Sequence, residues 1–283
     1  MTVPRVMGIV NVTPDSFSDG GAYADTDRAV VHARRLMAAG ADLIDIGGES
    51  TRPGATRPAV EEELDRVIPV ISALAPYDVV ISIDTMRASV AAAALDAGAQ
   101  VVNDVSGGLA DPDLLSVVAS SRATYVAMHW RAHAAEVADF TDYGPEGVVE
   151  GVRRELGERL EAISAAGVDV EQVVLDPGLG FAKTPAQNWE LLAGLAELDS
   201  LGRPLLVGAS RKSFLGHVLA EEGHPRDVSE REFAHAALVA LLADHGVAYL
   251  RVHDVRATRD ALAVVDALAA ARARGGVRQG GLL

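Results

Sequence analysis

Short apolar runs recur along the chain, and nearly every one ends in a polar residue. Val6-Met7-Gly8-Ile9-Val10 runs into Asn11, Leu43-Ile44-Asp45-Ile46 into Gly47-Gly48-Glu49, Val79-Val80-Ile81-Ser82-Ile83 into Asp84, and Val101-Val102 into Asn103-Asp104. The second half repeats the device. Tyr125-Val126-Ala127-Met128 stops at His129, Val173-Val174-Leu175 at Asp176, Leu205-Leu206-Val207 at Gly208-Ala209-Ser210-Arg211-Lys212, and Ala248-Tyr249-Leu250 at Arg251-Val252-His253-Asp254. Runs of this kind predict strands covered on both faces. Between them, apolar positions recur at spacings of three and four over 29–39, 60–74, 88–97, 148–166, 189–198, 233–243 and 257–271, which predicts amphipathic helices. Gly40, Gly98, Gly167, Gly202 and Gly246 stand where several of these helices must stop.

Strand alternating with helix gives a parallel sheet, and eight such runs predict an α/β fold, a (β/α)8 TIM barrel. The polar residues then gather at one mouth of the barrel, where active sites of this fold are built. The length of 283 residues suits one barrel plus loops, so residues 1–283 are read as a single domain with a flexible tail from about Arg272.

Charge narrows the function. A formal net charge of −15 disfavours nucleic acid, which is bound through clustered Lys and Arg. Any anion site must be built locally. The absence of Cys removes disulfides, a thiol nucleophile and Cys-ligated zinc. A strand predicted almost at the first residue leaves no room for a signal peptide, and no apolar stretch is long enough to span a membrane. The expectation is a cytoplasmic protein with no membrane partner.

The loops at the predicted mouth carry the chemistry. The first, Asn11-Val12-Thr13-Pro14-Asp15-Ser16-Phe17-Ser18-Asp19-Gly20-Gly21, offers hard oxygen ligands that suit Mg2+ and an aromatic that needs a cover. In the second, Gly47-Gly48-Glu49-Ser50-Thr51-Arg52-Pro53-Gly54-Ala55, glycines permit close backbone approach and Arg52 can clamp an anion. Asp84 and Asp176 follow their strands directly, so they either serve a ligand or cap a helix, make a turn or pair with a buried Lys. Arg251 and His253 alternate along a strand and share a face. With Lys212 they put three cationic groups at one mouth of an acidic protein, which points to an anion site. Gly178-Leu179-Gly180 is too short for a dinucleotide fingerprint, and His32, His217, His224, His235 and His245 lie in helical or connecting stretches.

The segments 11–21, 45–55, 82–84, 103–108, 176–183, 210–214 and 251–254 together resemble dihydropteroate synthases, in order and across the whole barrel. The resemblance implies a pterin-binding barrel that condenses (7,8-dihydropterin-6-yl)methyl diphosphate with 4-aminobenzoate, a folate-biosynthesis step and a sulfonamide target, with Mg2+ as cofactor and a homodimer as the assembly. It implies that Asp176 and Asn103 read the pterin edge, that Asp84 lies near the ring nitrogens, and that Lys212 bonds the carbonyl or N5 side. It further implies that Arg251, His253 and Thr51 hold the diphosphate. Asn11 would ligate Mg2+ with Asp19 in its outer surroundings. Phe17, Pro53, Phe181 and Ser213 would line the 4-aminobenzoate site, with Arg52 nearby. Two other readings are a catalytically silent pterin-binding paralogue and a folate-dependent methyltransferase domain. The second has no need of a diphosphate site, and the first would show degraded loops.

Overall fold

The computed structural model describes residues 3–13, 21–49, 57–131 and 140–275. Eight strands alternate with helices: β1 (Arg5–Asn11), α1 (Gly21–Ala38), β2 (Leu43–Gly47), α2 (Val60–Leu74), β3 (Val80–Asp84), α3 (Ala88–Asp96), β4 (Val101–Asp104), α4 (Asp113–Ala119), β5 (Thr124–Met128), α5 (Gly147–Ala165), β6 (Val173–Asp176), α6 (Pro185–Ala193), β7 (Leu206–Val207), α7 (Ser213–Val218), α8 (Glu232–His245), β8 (Tyr249–Val252) and α9 (Val255–Gly275). All ladders are parallel, in the order β6-β5-β4-β3-β2-β1-β8-β7. The two outer strands meet through a parallel bridge between Leu175 and Leu205, and Leu175 N donates to Pro204 O at 2.9 Å. The result is the predicted (β/α)8 barrel, closed most thinly between β6 and β7.

Alternation along each strand sorts the side chains. One set, including Ile44, Ile46, Ile81, Ile83, Val102, Leu250 and Val252, faces outward into the shell beneath the helices. In α2 the buried residues Glu63, Val67, Val70, Ile71 and Leu74 form the stripe that packs on it. The other set faces the barrel axis, where Met7, Leu43, Val101, Val126, Val174 and Leu206 form a separate apolar layer with Val80 and Tyr249. Removing such a side chain from water contributes about 1.5–3 kcal/mol each. Two residues further along the same strands the inner positions become Asp45, Ser82, Asn103, Asp176 and Arg251.

Most helix boundaries follow the sequence pattern, but α1 begins at Gly21, eight residues before the periodic stretch at 29–39, and short elements depart from it. The spacing over 189–198 predicts one helix, but α6 ends at Ala193 and a 3-10 helix, Leu195–Leu201, follows. Gly194 marks the break, since a Cβ there would stand 2.8 Å from Val149. A capping box between Thr184 and Gln187 starts α6 earlier than periodicity shows. The short helices α4 and α7 carry too few turns to show a period. At the tail, α9 continues past Arg272 to Gly275.

Candidate active site

The mouth at the strand C-termini is organised around Arg251. Its Nε donates to Asp45 Oδ2 at 2.6 Å and its Nη2 to Asp84 Oδ2 at 2.6 Å. Asp45 Oδ2 also accepts from Asn103 Nδ2 at 3.0 Å, so three strands and a fourth across the barrel share one network. Arg251 Nη1 makes no hydrogen bond among the described residues, which leaves donors for a ligand. Burial opposes the guanidinium charge, but Asp45 and Asp84 outweigh it and raise its pKa. Burial likewise pushes the Asp84 carboxyl up, to about 7, against the pull of Arg251 and with the help of Asp45, Glu63 and Glu49.

The loop after β6 forms the opposite wall. Asp176 Oδ1 accepts from Gly178 N at 2.7 Å, and the residue is buried close enough to Lys212 and Arg251 to feel their charge. Burial raises its pKa, and Gly178 N–H, Lys212 and Arg251 act the other way. Asp176 therefore belongs both to a tight turn and to the site. Gly178 and Gly180 adopt φ of +69° and +77°. A Cβ at Gly178 would stand 2.5 Å from His129 O, and one at Gly180 would stand 2.9 Å from Lys212 Cδ. These glycines let the loop close on its neighbours. Lys212 Nζ then lies 4.0 Å from the centroid of the Phe181 ring. Burial lowers the Lys212 pKa to about 8, with Asp176 resisting and Arg251 assisting.

A buried set that the sequence reading did not single out holds this loop from behind. Lys183 Nζ lies 3.0 Å from His129 Nδ1 and donates to Gly178 O at 3.1 Å and Phe181 O at 3.0 Å. His129 Nε2 is 2.9 Å from Glu155 Oε2, and Arg131 Nε donates to the same oxygen at 2.8 Å. Tyr143 donates to Ala182 O at 3.0 Å, and Ala182 sits at φ +47°, a strained value for a residue with a Cβ. Burial brings the Lys183 ammonium down to about 7 and the His129 imidazole to about 4. Arg131 and Tyr143 thus hold the segment that precedes α5 against this set, and Tyr143 is buried.

Two expectations change. His253 is not a cation here: burial, with Arg211 and Arg251 nearby, lowers its pKa to about 3, and its Nδ1 lies 3.0 Å from Ser210 Oγ. Arg251 is offset by two carboxylates, so the three predicted cations do not add up to a strong positive mouth. Lys212 does not end a strand either. β7 stops at Val207, and Lys212 follows a turn in which Arg211 has φ +64° and its carbonyl accepts from Arg231 Nη1 at 2.8 Å. It leads directly into α7, whose first residue, Ser213, is exposed. Asn11 closes β1 opposite Gly47 of β2. Met86, Val105 and Met128 pack together beside Phe181 as an apolar wall. Phe17, Asp19, Thr51, Arg52 and Pro53 lie outside the described residues.

Asp84, Asn103, Asp176, Phe181, Lys212 and Arg251 are therefore brought to one mouth, and Asp45 joins them through Asn103 and Arg251. Asp45 was hidden inside an apolar run. Its signal was a lone acid at an inward strand position.

The pattern of the family described as pterin binding enzyme matches residues 7–253. A dihydropteroate synthase of Mycobacterium leprae is 51% identical over 264 residues, covering 93% of this chain and 93% of the relative. A structure of the Xanthomonas albilineans dihydropteroate synthase with 4-aminobenzoic acid superposes with a TM-score of 0.86 at 46% identity, covering 95% of this chain and 94% of that one. The same enzyme in complex with 7,8-dihydropteroate gives a TM-score of 0.83 at 44% identity, covering 95% and 96%.

Proposed function

The chain belongs to the dihydropteroate synthase family of pterin-binding enzymes, and from that membership we propose how its mouth carries out the reaction. It is a transferase of folate biosynthesis that joins a pterinylmethyl group to 4-aminobenzoate, giving 7,8-dihydropteroate. The bond from the exocyclic methylene carbon to the diphosphate oxygen breaks, and a bond to the arylamine nitrogen forms. The amine is uncharged near neutral pH, so no strong general base is required.

In our reading Asp176 accepts from the pterin 2-amino group and N3–H, because a carboxylate can take two parallel donors. Asn103 reads the adjoining edge. Asp84 faces the ring nitrogens, where positive charge grows as diphosphate departs. A fixed carboxylate there stabilises the cationic transition state more than the neutral substrate. Lys212 bonds the carbonyl or N5 side and, with the Phe181 ring against it, bounds the 4-aminobenzoate site. The free donors of Arg251 take the leaving diphosphate, and His253 stands beside it as a further ring donor. Thr51, Arg52, Pro53, Phe17 and Ser213 complete the proposed substrate contacts by resemblance.

Mg2+ is part of the same proposal. Magnesium is commonly held by one or two protein oxygens together with substrate phosphates. The uncharged amide oxygen of Asn11, at the end of β1, fits such a donor set, with Asp19 in the outer surroundings. Bound there, the ion would supply charge neutralisation to the diphosphate. A homodimer and a cytoplasmic location are likewise proposed. Among the described residues no helix is long and apolar enough to cross a membrane.

The observation that carries the reading is the joining of Asp84 and Asn103 through Arg251 and Asp45, opposite Asp176 and Lys212. The test is an assay of the purified chain with Mg2+, the pterin diphosphate and 4-aminobenzoate. Equal amounts of diphosphate and dihydropteroate, dependent on both substrates and abolished by chelator, are expected. Pterin binding without product would favour a silent paralogue, and methyl transfer from a folate would favour the methyltransferase reading.

A further inference from the structure

Asp45 lies inside β2 with no exposed surface, and two residues assigned to different parts of the substrate lean on it. Its Oδ2 accepts from Asn103 Nδ2 at 3.0 Å and from Arg251 Nε at 2.6 Å. Its Oδ1 is buried with no hydrogen-bond partner among the described residues, as is the hydroxyl of its register partner Ser82 on β3. Asn103 and Arg251 are therefore the groups that answer this carboxylate.

The consequence concerns the polarity of Asn103. The two ends of a carboxamide are nearly equal in size, and a half-turn exchanges donor for acceptor. Something beside the amide must choose. A carboxylate paired with a guanidinium can only accept, so the Asn103 nitrogen must face Asp45 and the oxygen Oδ1 is the end available to a ligand. A ring presenting an N–H to that oxygen is bound, and one presenting a lone pair meets a lone pair. We propose that Asp45 is a positioning residue that determines ring specificity: it fixes the Asn103 amide with its acceptor end toward the pterin, and through Arg251 it ties the ring pocket to the diphosphate site. This rests on the reading that Asn103 faces the pterin.

The ring half can be isolated by using 6-hydroxymethylpterin, which lacks the diphosphate, as the probe in calorimetric titration of the full chain. Asp45→Asn should weaken binding about tenfold or more, the range for a hydrogen bond to a charged group. In an Asn103→Ala background the same substitution should change affinity by less than about threefold, because its effect runs through that amide. The exchanged pair, Asp45→Asn with Asn103→Asp, lets an amide N–H at 45 donate to a carboxylate at 103, at the expense of the Arg251 bond, which a probe without diphosphate does not read. It should bind the probe more tightly than Asp45→Asn alone. In turnover, KM for the pterin diphosphate should rise while KM for 4-aminobenzoate stays within about twofold, a split that general loosening of the barrel would not produce.

Equal losses from Asp45→Asn in both backgrounds, or wild-type affinity in a folded Asp45→Asn variant, would overturn the inference alone. Failure of the wild-type chain to bind the probe would overturn the pterin reading and the inference with it. If Asp45→Asn does not fold, the exchanged pair decides, since it restores the hydrogen bond between positions 45 and 103. Loss of binding by that variant in the folded state would sink the proposal.

Discussion

Two layers of side chains fill the axis of the same barrel, and they come from the same strands. The lower layer holds Leu43, Val80, Val101, Val174 and Tyr249. Two residues further on, the upper layer holds Asp45, Ser82, Asn103, Asp176 and Arg251. Backbone geometry, parallel pairing and orientation are shared, so the difference is purely one of side chain. The lower layer is a packed core whose contacts are satisfied by shape. The upper layer is a polar network that is only partly satisfied from within: Asp45 Oδ1 and Ser82 Oγ are buried without partners among the described residues. Burial without full pairing is costly, and such a cost is characteristic of places built to meet a ligand. One step of the strand period thus separates stability from function.

The division can be broken at its sharpest point by Asp84→Asn. The variant keeps the shape of the side chain and leaves Asp45 to hold Arg251, so the melting temperature should stay within a few degrees of wild type. Turnover should fall by about 10²–10³-fold, as when one electrostatic stabiliser is removed from a preorganised site. Calorimetry beside a diphosphate-release assay reads both. Normal turnover in the folded variant would remove Asp84 from the catalytic machinery.

Leu206→Ala tests the other side. Leu206 is fully buried in the lower layer, and its truncation should cost about 2–5 kcal/mol of stability. Denaturant titration measures that loss. The ratio kcat/KM should remain within about twofold at a temperature where the variant is folded. A large drop in kcat/KM would mean that the two layers are mechanically coupled.

The smallest effect is the most specific. The Asp84 carboxyl is lifted to about 7 and the Lys212 ammonium lowered to about 8. Activity needs Asp84 ionised and Lys212 protonated, so kcat/KM should fall as pH drops below about 7 and fall again above about 8. Because kcat/KM reports groups of the free enzyme, the profile should be a narrow bell. A flat profile from pH 6 to 9 would remove these two groups from the rate-determining chemistry.

Much of this molecule was legible because its strands are covered on both faces and announce themselves as apolar runs. The polar residues that interrupt or end those runs mark the mouth: Asp84, Asn103, Asp176 and Arg251 stand at or near strand ends and meet there. Lys212 was found with them although it follows a turn instead of a strand. Asp45 was passed over because a single acid in Leu43-Ile44-Asp45-Ile46 breaks the run without ending it. Lys183, His129 and Glu155 come from the loop after β6, the end of β5 and the helix α5, and no spacing in the chain relates them. The short helices α4 and α7 escaped because a period cannot be read from so few residues.

The sequence by itself determined the alternation of strand and helix, the barrel that follows from it, and the end of the barrel at which chemistry collects. These follow from local periodicity and from the fact that every strand of a parallel barrel points the same way. Tertiary structure decided the electrostatics. Whether His253 is charged, how far Asp84 is lifted and what Arg251 has left to offer a ligand depend on burial and on hydrogen-bond partners 43 to 206 positions away in the chain. Such interactions weaken with distance in space and carry no trace of distance along the sequence.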